Sequence, residues 1–339
     1  MAYGKMTRGL MSAVAACTMA AVLGGPAQAD AIKIGALKSS NVGPTFIAKE
    51  KGYFSAEGLD VEISYFESAQ PIAVGVASGS LDFGTTSTSG GLFSLAGSGE
   101  VRIIAGLYSE APGFHNFAVA ASIKAYDAGL KTYKDLAGKK VATTQVGSPV
   151  HYSLALVAEK YGVDLKSIQL QPLQSIPNMV SAIVGNTVDA TVINATSINP
   201  VVANGQAKLL GWVGDETPWQ AAVVFATGKT IDQKPTLIQG FLRAFKKGTK
   251  DYHDAFTGPK EVRQDGPTAD AVVAIISKYT GQTADQVKGG IAYIDADARL
   301  DVKDIVHQVE WFKSQKMLKD DVKPDLVVDT RYVVPFPPR

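Results

Sequence analysis

Four short segments of the sequence are rich in hydroxyl and amide side chains and contain no aspartate or glutamate. They are residues 38–44, 85–91, 144–152 and 194–197. A cationic ligand buried among them would lack a carboxylate partner, and an unpaired buried charge is costly. An anion instead needs N–H and O–H donors, which these segments supply. We therefore expect a small organic anion to bind here, with candidate binding residues Lys38, Ser39, Asn41, Ser87, Thr88, His115, Gly147, Ser148, His151, Tyr152, Asn194, Thr196 and Trp219.

Two of these segments are typical of the start of a helix, where backbone N–H groups can bind an anion. Ser148 is a favoured N-cap residue, Pro149 suits the first helical position, and Gly147 lets the backbone approach a ligand closely. Ser87 and Thr88 precede the next predicted helix start in the other half of the chain. The N-terminus of a helix favours negative charge, so both segments are candidate anion sites. A purely capping role would account for the same residues.

The remaining candidates are two histidines and two aromatic residues. His115 and His151 can donate to a carboxylate or sulfonate, and Tyr152 and Trp219 would suit a ligand with an apolar part. Ordinary structural burial would explain the same residue types. The histidines are not accompanied by a spaced histidine or carboxylate, which argues against a metal site. The sequence also lacks a G-x-S-x-G, H-E-x-x-H or phosphate-loop motif, so it indicates binding without a cofactor rather than catalysis.

Apolar runs that alternate with helical patterns must position these segments. Strands are predicted at residues 32–37, 61–66, 81–84 and 102–107, and again at 140–143, 168–172, 188–193 and 208–212. Helices are predicted at residues 45–51, 71–77, 89–96, 149–161, 176–184 and 198–204. The alternation is typical of an α/β fold with a mostly parallel sheet flanked by helices, and it runs twice. We expect two lobes, with ligand at the carboxyl ends of the strands.

The rest of the chain is predicted to connect and cover the lobes. Two apolar extended stretches, 114–121 and 220–227, are predicted to cross between them. Three later helices are predicted to pack on the outside of the first lobe, at residues 233–256, 268–279 and 301–315. The tail, residues 323–339, is predicted to be extended. Lobe I is therefore expected at residues 30–117 and 223–339, and lobe II at residues 118–222.

The first 29 residues are typical of a cleaved secretory signal peptide. Lys5 and Arg8 precede an uncharged run at 10–23, and Ala27-Gln28-Ala29 has the small residues of a cleavage site. A lipid anchor at Cys17 is the alternative, although it leaves only about four apolar residues after Arg8. Cleavage removes the only cysteine, and with it any disulfide or thiol chemistry. The remaining chain has a formal charge of about −1, so it has no basic excess to recruit nucleic acid.

Four segments spread over both halves carry a family resemblance in order and spacing. They are residues 47–54 (IAKEKGYF) with 57–61 (EGLDV), 76–84 (VASGSLDFG), 135–142 (DLAGKKVA) and 185–190 (GNTVDA). The sequence resembles the ABC-transporter solute-binding proteins of the nitrate/sulfonate/taurine type. This resemblance implies a two-lobed periplasmic-binding-protein clamshell, joined by two crossover strands, that delivers its solute to an ABC permease. We expect a periplasmic monomer that binds a sulfonate or carboxylate, including aromatic carboxylates.

A two-lobed protein of this kind could have either of two other functions. A receptor for a pyrimidine or thiamine precursor would need an aromatic sandwich and an acidic partner, for which Glu110, Asp215 and Glu216 are the nearby acids. A two-lobed enzyme is the other alternative. Such bodies occur in porphobilinogen deaminases and in fungal pyrimidine synthases, and both depend on cysteines that the mature chain would lack. The absence of these cysteines disfavours the enzyme.

Overall fold

The computed structural model describes residues 1–4 and 29–336. The predicted signal peptide lies almost entirely outside the described residues, including its basic start and Cys17. Within the described part of the chain, no helix is long and apolar enough to cross a membrane.

The strands and helices follow the predicted alternation. The strands are β1 Asp30–Leu37, β2 Leu59–Phe66, β3 Phe83–Ser87, β4 Val101–Gly106, β5 Ser109–Glu110, β6 Phe117–Ser122, β7 Lys140–Thr143, β8 Gln169–Pro172, β9 Ala190–Asn194, β10 Ala207–Trp212, β11 Trp219–Gln220 and β12 Ala222–Thr227. The helices are α1 Gly43–Glu50, α2 Tyr53–Ala56, α3 Ala69–Ala77, α4 Gly90–Gly97, α5 Ile123–Asp127, α6 Pro149–Lys160, α7 Ile176–Val184, α8 Ala195–Ala203, α9 Val213–Glu216, α10 Gly228–Gln233, α11 Pro235–Phe256, α12 Ala269–Thr280, α13 Ala284–Lys288, α14 Val302–Ser314 and α15 Pro324–Val327. Single 3-10 turns lie at residues 40–42, 133–136, 165–167 and 259–261.

The strands form two five-stranded sheets with the same topology. The first sheet has the order β2-β1-β3-β12-β4, and the second has the order β8-β7-β9-β6-β10. One strand in each sheet, β12 or β6, runs antiparallel to both neighbours, while the other four point in one direction. The mostly parallel α/β architecture predicted from the sequence is therefore confirmed. The central strands are buried because helices cover both faces of each sheet.

Equivalent aspartates close the same turn in both sheets. The Asp82 carboxylate accepts a hydrogen bond from the Lys33 backbone N–H at 2.8 Å, and Asp189 accepts from the Lys140 N–H at 2.8 Å. Each aspartate follows a helix and a turn and precedes the third strand of its sheet, which starts at Phe83 or Ala190. In each sheet the carboxylate satisfies a backbone N–H of the neighbouring parallel strand, β1 or β7.

The crossing between the two sheets differs from the prediction. β5 and β11 pair as a short antiparallel ribbon, with Glu110 opposite Trp219. The stretches at 114–121 and 220–227, predicted to cross, instead supply β6 and β12, which are interior strands of the two sheets. They are apolar because they are buried in the sheets, and two residues per strand are enough for the crossing itself. Phe117 belongs to the second sheet and Ala222 to the first, one residue away from each predicted lobe boundary.

The helices after β12 occupy two different places. α11 and α12 pack on α1 of the first lobe, as expected for an outer layer. α14, also predicted on the outside, instead lies at the junction of the lobes. Its Phe312 ring is 5.7 Å from the Phe93 ring of α4 and 5.8 Å from the Tyr152 ring of α6. The tail was predicted to be extended throughout, but its residues 324–327 form the short helix α15.

Candidate ligand-binding site

A cavity of about 470 Å³ lies between the two sheets. Its walls come from the carboxyl ends of strands in both sheets, which is where open α/β sheets bind ligands. The lining residues of the first sheet and its helices are Leu37, Lys38, Ser39, Asn41, Phe66, Glu67, Ser68, Ala69, Gln70, Ser87, Ser89, Gly91, Tyr108 and Gln282. Those of the second are Phe117, Thr144, Gln145, Val146, Gly147, Ser148, Pro149, Val150, Ile176, Pro177, Asn194 and Ser197.

Five helices, two from the first lobe and three from the second, begin at this cavity. In their first turns, the backbone N–H groups of Gln70, Gly91, Val150, Ile176 and Ser197 have no acceptor among the described residues. Each of these residues lines the cavity. Unpaired N–H groups at helix starts carry partial positive charge and favour an anion. Because the helices come from both lobes, one bound anion could contact both.

Seven predicted binding residues line the cavity. Ser148 caps α6 by accepting from the His151 N–H at 3.3 Å, and its hydroxyl is 2.9 Å from that of Thr143. Gly147 has a left-handed backbone, with φ of +79°, which a residue with a side chain would rarely adopt. The seven lining residues are Lys38, Ser39, Asn41, Ser87, Gly147, Ser148 and Asn194. Their contact with a ligand stays a prediction.

Three predicted residues lie behind the cavity near α14 rather than on its wall. Thr88 is buried and donates to Gln308 Oε1 at 2.7 Å. Tyr152 is buried among the rings of Trp219, Trp311 and Phe312. Trp219 lies on β11 and lines a separate cavity behind the ribbon. Tyr152 and Trp219 are therefore aromatic because they pack at the lobe junction, and the sequence does not distinguish such packing from a ligand wall.

The other three predicted residues also lie off the cavity wall. His115 stacks on Trp212, with ring centroids 4.3 Å apart, and faces a separate crevice. Thr196 is buried and accepts a hydrogen bond from Asn194 Nδ2 at 2.6 Å. His151 is buried beneath the Gly147 turn and directly follows the lining residue Val150 in α6.

His151 supports the cavity wall from behind. Its Nδ1 accepts a hydrogen bond from the Gly147 N–H at 3.0 Å, and its ring lies against Trp311. Burial lowers the pKa of His151 to about 4, so the imidazole is neutral at neutral pH. It therefore acts as an acceptor that fixes the loop, and in its neutral form it carries no positive charge.

The loop after β2 supplies lining residues that sequence reasoning missed. Glu67 lines the cavity and is exposed at its edge. It follows the last residue of β2, Phe66, just as Lys38 follows Leu37, the residue of β1 that pairs with Phe66. The expectation of a cavity wall without carboxylates is therefore wrong at this position. Gln70 lies on Gly91, where an added Cβ would come within 2.0 Å of the Gln70 Oε1. The sequence contains a signal for this loop, because it directly follows the strand predicted at residues 61–66.

Apolar side chains form the rest of the wall. The cavity is also lined by three aromatic residues and one aliphatic residue: Phe66, Phe117, Tyr108 and Ile176. Tyr108 is buried, and its hydroxyl is 2.5 Å from the Ser87 hydroxyl. Lys38, the only basic residue among those lining the cavity, is exposed at its edge. The arrangement suits a small molecule with one anionic group and an apolar body.

Sequence comparison places this chain in a family. The profile of the NMT1/THI5-like family matches residues 39–261, about two thirds of the sequence. The chain belongs to the NMT1/THI5-like family. A protein of Brucella abortus (strain 2308) named as a binding protein is 30% identical to this NMT1/THI5-like chain over 149 residues. That match covers 44% of the chain and 43% of the relative, so it spans less than half the length of either protein.

Solved structures share the fold of this NMT1/THI5-like protein at low sequence identity. The alkanesulfonate-binding protein SsuA from Xanthomonas axonopodis pv. citri, bound to MOPS, is 17% identical with a TM-score of 0.69, over 87% of this chain and 96% of that one. The periplasmic nitrate-binding protein NrtA from Synechocystis is 15% identical with a TM-score of 0.68, over 89% and 86%. The desulfurization enzyme DSZB is 15% identical with a TM-score of 0.60, over 90% and 96%. These proteins have the two-lobed periplasmic-binding-protein fold in common with this chain.

Proposed function

We propose that this protein is a periplasmic receptor that binds a small organic anion between its lobes and presents it to an ABC importer. One observation carries the proposal: at five helix starts, contributed by both lobes, a backbone N–H has no acceptor among the described residues, and the residues concerned line one cavity. An anion that accepts from both lobes stabilises the closed form, and closure is the signal that a permease can recognise. The binding of an alkanesulfonate and of nitrate by proteins of the same fold supports this choice of ligand class.

The same residues favour binding over catalysis. The lining residues include serine and threonine, but the one lining carboxylate, Glu67, is exposed at the edge and the one nearby histidine, His151, is a buried acceptor. A serine nucleophile needs a base within hydrogen-bonding reach. Since DSZB is an enzyme of this fold, the fold alone does not decide the question. We therefore propose a non-enzymatic receptor on the composition of the cavity.

A thermal-shift panel tests the ligand class. The chain without residues 1–29 would be melted with ethanesulfonate, MOPS, nitrate, hexanoate, benzoate, phthalate, a pyrimidine, thiamine and hexylamine. A ligand at about 100 times its Kd adds about 2.7 kcal/mol of stability. We expect shifts with one or more organic anions and none with hexylamine. Shifts with thiamine or the amine, and none with any acid, would contradict the proposal.

Two single-charge variants at the edge of the cavity sharpen this test. Lys38→Gln removes a positive charge and Glu67→Gln removes a negative charge at neighbouring positions of the β1–β2 edge. For an anion, the first change weakens binding and the second strengthens it, each by about two- to fivefold at low salt because both groups are exposed. Calorimetric Kd values at 20 and 300 mM NaCl measure the effect. The opposite pair of signs would indicate a cationic ligand.

A further inference from the structure

A chain of buried amide and carboxyl groups leads from the crossing ribbon to the cavity wall. Asn41 Nδ2 donates to Asn116 Oδ1 at 2.8 Å, and Asn116 Nδ2 donates to Glu110 Oε1. Glu110, Asn116 and Asn41 are 1%, 2% and 4% exposed. Asn41 lines the cavity, and its Oδ1 has no hydrogen-bond partner among the described residues. The far end of this chain is therefore an acceptor without a partner, on a residue of the cavity wall.

The direction of these hydrogen bonds depends on one proton. With Glu110 ionised, Asn116 must donate to it, so Asn41 donates to Asn116 and turns its oxygen to the cavity. With Glu110 protonated, the carboxyl O–H can donate to the Asn116 oxygen. Both amides then reverse end for end, and Asn41 turns its NH₂ group to the cavity. A carbonyl oxygen repels an anion, whereas an NH₂ group donates to it, so the two arrangements differ in affinity.

The surroundings of Glu110 favour the protonated form. The Phe117 N–H donates to Glu110 Oε2 at 3.4 Å, which leaves Oε1 to carry the proton. Burial raises the pKa of Glu110 to about 8. The negative charge of Asp215 also raises it, whereas the hydrogen bonds to the carboxylate lower it. Tyr108 also faces Glu110, and burial raises its pKa far above the ordinary value, so it stays protonated. Across the cavity behind the ribbon, the charged or titratable groups facing the same space are Lys260, Glu261, Tyr293, Asp301 and Asp304.

We propose that anion binding is coupled to one proton held on Glu110, with Glu110 and Asn116 acting as positioning residues that turn the Asn41 amide towards the ligand. This inference rests on the anion-receptor function proposed above. The proton comes from solvent, and no covalent bond is made or broken. In this arrangement, the protein binds its anion best when Glu110 is neutral, and binding above the pKa of Glu110 takes up one proton.

The pH dependence of binding tests the coupling. Kd would be measured by calorimetry from pH 6.5 to 9.5 with the panel anion that gives the largest thermal shift. MOPS is left out of this measurement because its morpholine nitrogen titrates within the range, whereas the acidic groups of the other panel anions are ionised throughout it. If only the protonated form binds, the competent fraction falls from about 0.9 at pH 7 to about 0.1 at pH 9, so Kd rises about tenfold. Titrations at pH 8.5 in two buffers of different ionisation enthalpy should also show proton uptake on binding.

Substitution of Glu110 by its amide isolates the group responsible. In Glu110→Gln, the side-chain NH₂ can donate to Asn116 and its oxygen can accept from Phe117, so the protonated arrangement becomes permanent. We expect the rise in Kd between pH 7 and 9 to disappear. Asp304→Asn is the matched control: Asp304 is a half-buried carboxylate that accepts from the Gln220 N–H at 2.8 Å, and it makes no hydrogen bond to this chain of amides. It should keep the tenfold dependence.

A second variant covers the case in which Glu110→Gln does not fold. Asn41→Ala removes the last amide and leaves Glu110 in place, so Kd should be weaker at pH 7 but constant to pH 9. A constant Kd in the unsubstituted protein, or a tenfold rise that persists in Glu110→Gln or Asn41→Ala, would overturn the coupling. Failure of every panel anion to bind at any pH would instead reject the anion-receptor function itself.

Discussion

His151 shows how a buried histidine can make stability depend on pH. Its pKa is about 4 in the folded protein against an ordinary value of 6.5, because burial disfavours the charged ring. Between pH 6.5 and 4 the unfolded chain therefore binds a proton that the folded protein does not. The free energy of unfolding falls as the pH falls through this window, by at most about 1.4 kcal/mol per pH unit from this residue.

His151→Asn should make that acid destabilisation smaller. The Asn oxygen can accept from the Gly147 N–H in place of Nδ1, but it does not titrate. We expect a less stable protein at pH 7, by about 1 kcal/mol or more for the lost ring contact with Trp311, and a flatter slope between pH 6.5 and 4. Urea unfolding at several pH values measures both. His307→Asn, at an exposed position on α14, is the control and should keep the original dependence of the unfolding free energy on pH. Equal slopes in the unsubstituted protein and both variants would contradict the assignment to His151.

The predicted binding residues fall into two groups: those chosen for their backbone preference at a helix start, and those chosen for an aromatic side chain. Ser148 and Gly147 were predicted on the cavity wall because serine, glycine and proline have strong local preferences at a helix start. Tyr152 and Trp219 lie off the cavity wall, because an aromatic residue fits a buried lobe junction as well as a ligand wall. Periodicity gives the face of a helix but not which neighbouring element covers it. The sequence therefore predicts loop backbones better than aromatic partners.

At the scale of elements, the starts of helices do most to define the cavity. Gly91 is the second residue of α4, its N–H has no acceptor among the described residues, and the amide of Gln70 lies directly over its Cα. Ser89 Oγ accepts a hydrogen bond from the Leu92 N–H. The Ser89 hydroxyl in turn donates to Gln70 Oε1 at 3.3 Å. The Gln70 NH₂ group is thereby left for the cavity. α3 and α4 together offer backbone and side-chain donors at one point.

Gly91→Ala should disturb these donors without unfolding the helix. Alanine is a better helix former than glycine by up to about 1 kcal/mol, but its Cβ would displace Gln70. We expect an unfolding free energy within about 1 kcal/mol of the original and an affinity for the anion about tenfold weaker, since a donor to a charged group is worth about 1.5–3 kcal/mol. Ser94→Ala, on the exposed face of the same helix, is the control and should not change Kd. Unchanged affinity in Gly91→Ala would remove the start of α4 from the site.

The elements themselves were predictable where local signals repeat. The alternation of apolar runs with helical patterns predicts the two series of strands, and Asp82 and Asp189 mark the same turn in both sheets. The sequence does not predict which strands are inserted into the interior of a sheet. β6 and β12 read as apolar extended stretches, and nothing in such a run distinguishes a crossing strand from a central one. Their antiparallel insertion depends on contacts far apart in the sequence.

At the scale of the molecule, direct hydrogen bonds join the two lobes around the cavity. The Gly90 N–H of α4 donates to the Gly147 carbonyl at 3.0 Å, so the starts of α4 and α6 are linked. On another side, Asn199 Nδ2 of α8 donates to the Gly289 carbonyl at 2.9 Å, after α13 of the first lobe. Neither bond involves a ligand. Both stabilise the arrangement in which the cavity is formed, and they therefore contribute to affinity through the equilibrium between open and closed forms.

Asn199→Ala should weaken binding without touching the ligand. Asn199 does not line the cavity, so the loss of one hydrogen bond worth about 1 kcal/mol would shift the closed form towards the open form by about fivefold. The same factor of up to five should appear in Kd for every anion that binds, and small-angle scattering should give a larger radius of gyration for the unliganded protein. Asn178→Ala is the matched control, because Asn178 Nδ2 donates to the Leu173 carbonyl at 2.8 Å within one lobe. A loss of affinity that differs strongly from one anion to another would mean that Asn199 contacts the ligand. An equal loss for every anion, with an unchanged Kd in the control, would show that closure and ligand contact contribute separately to affinity.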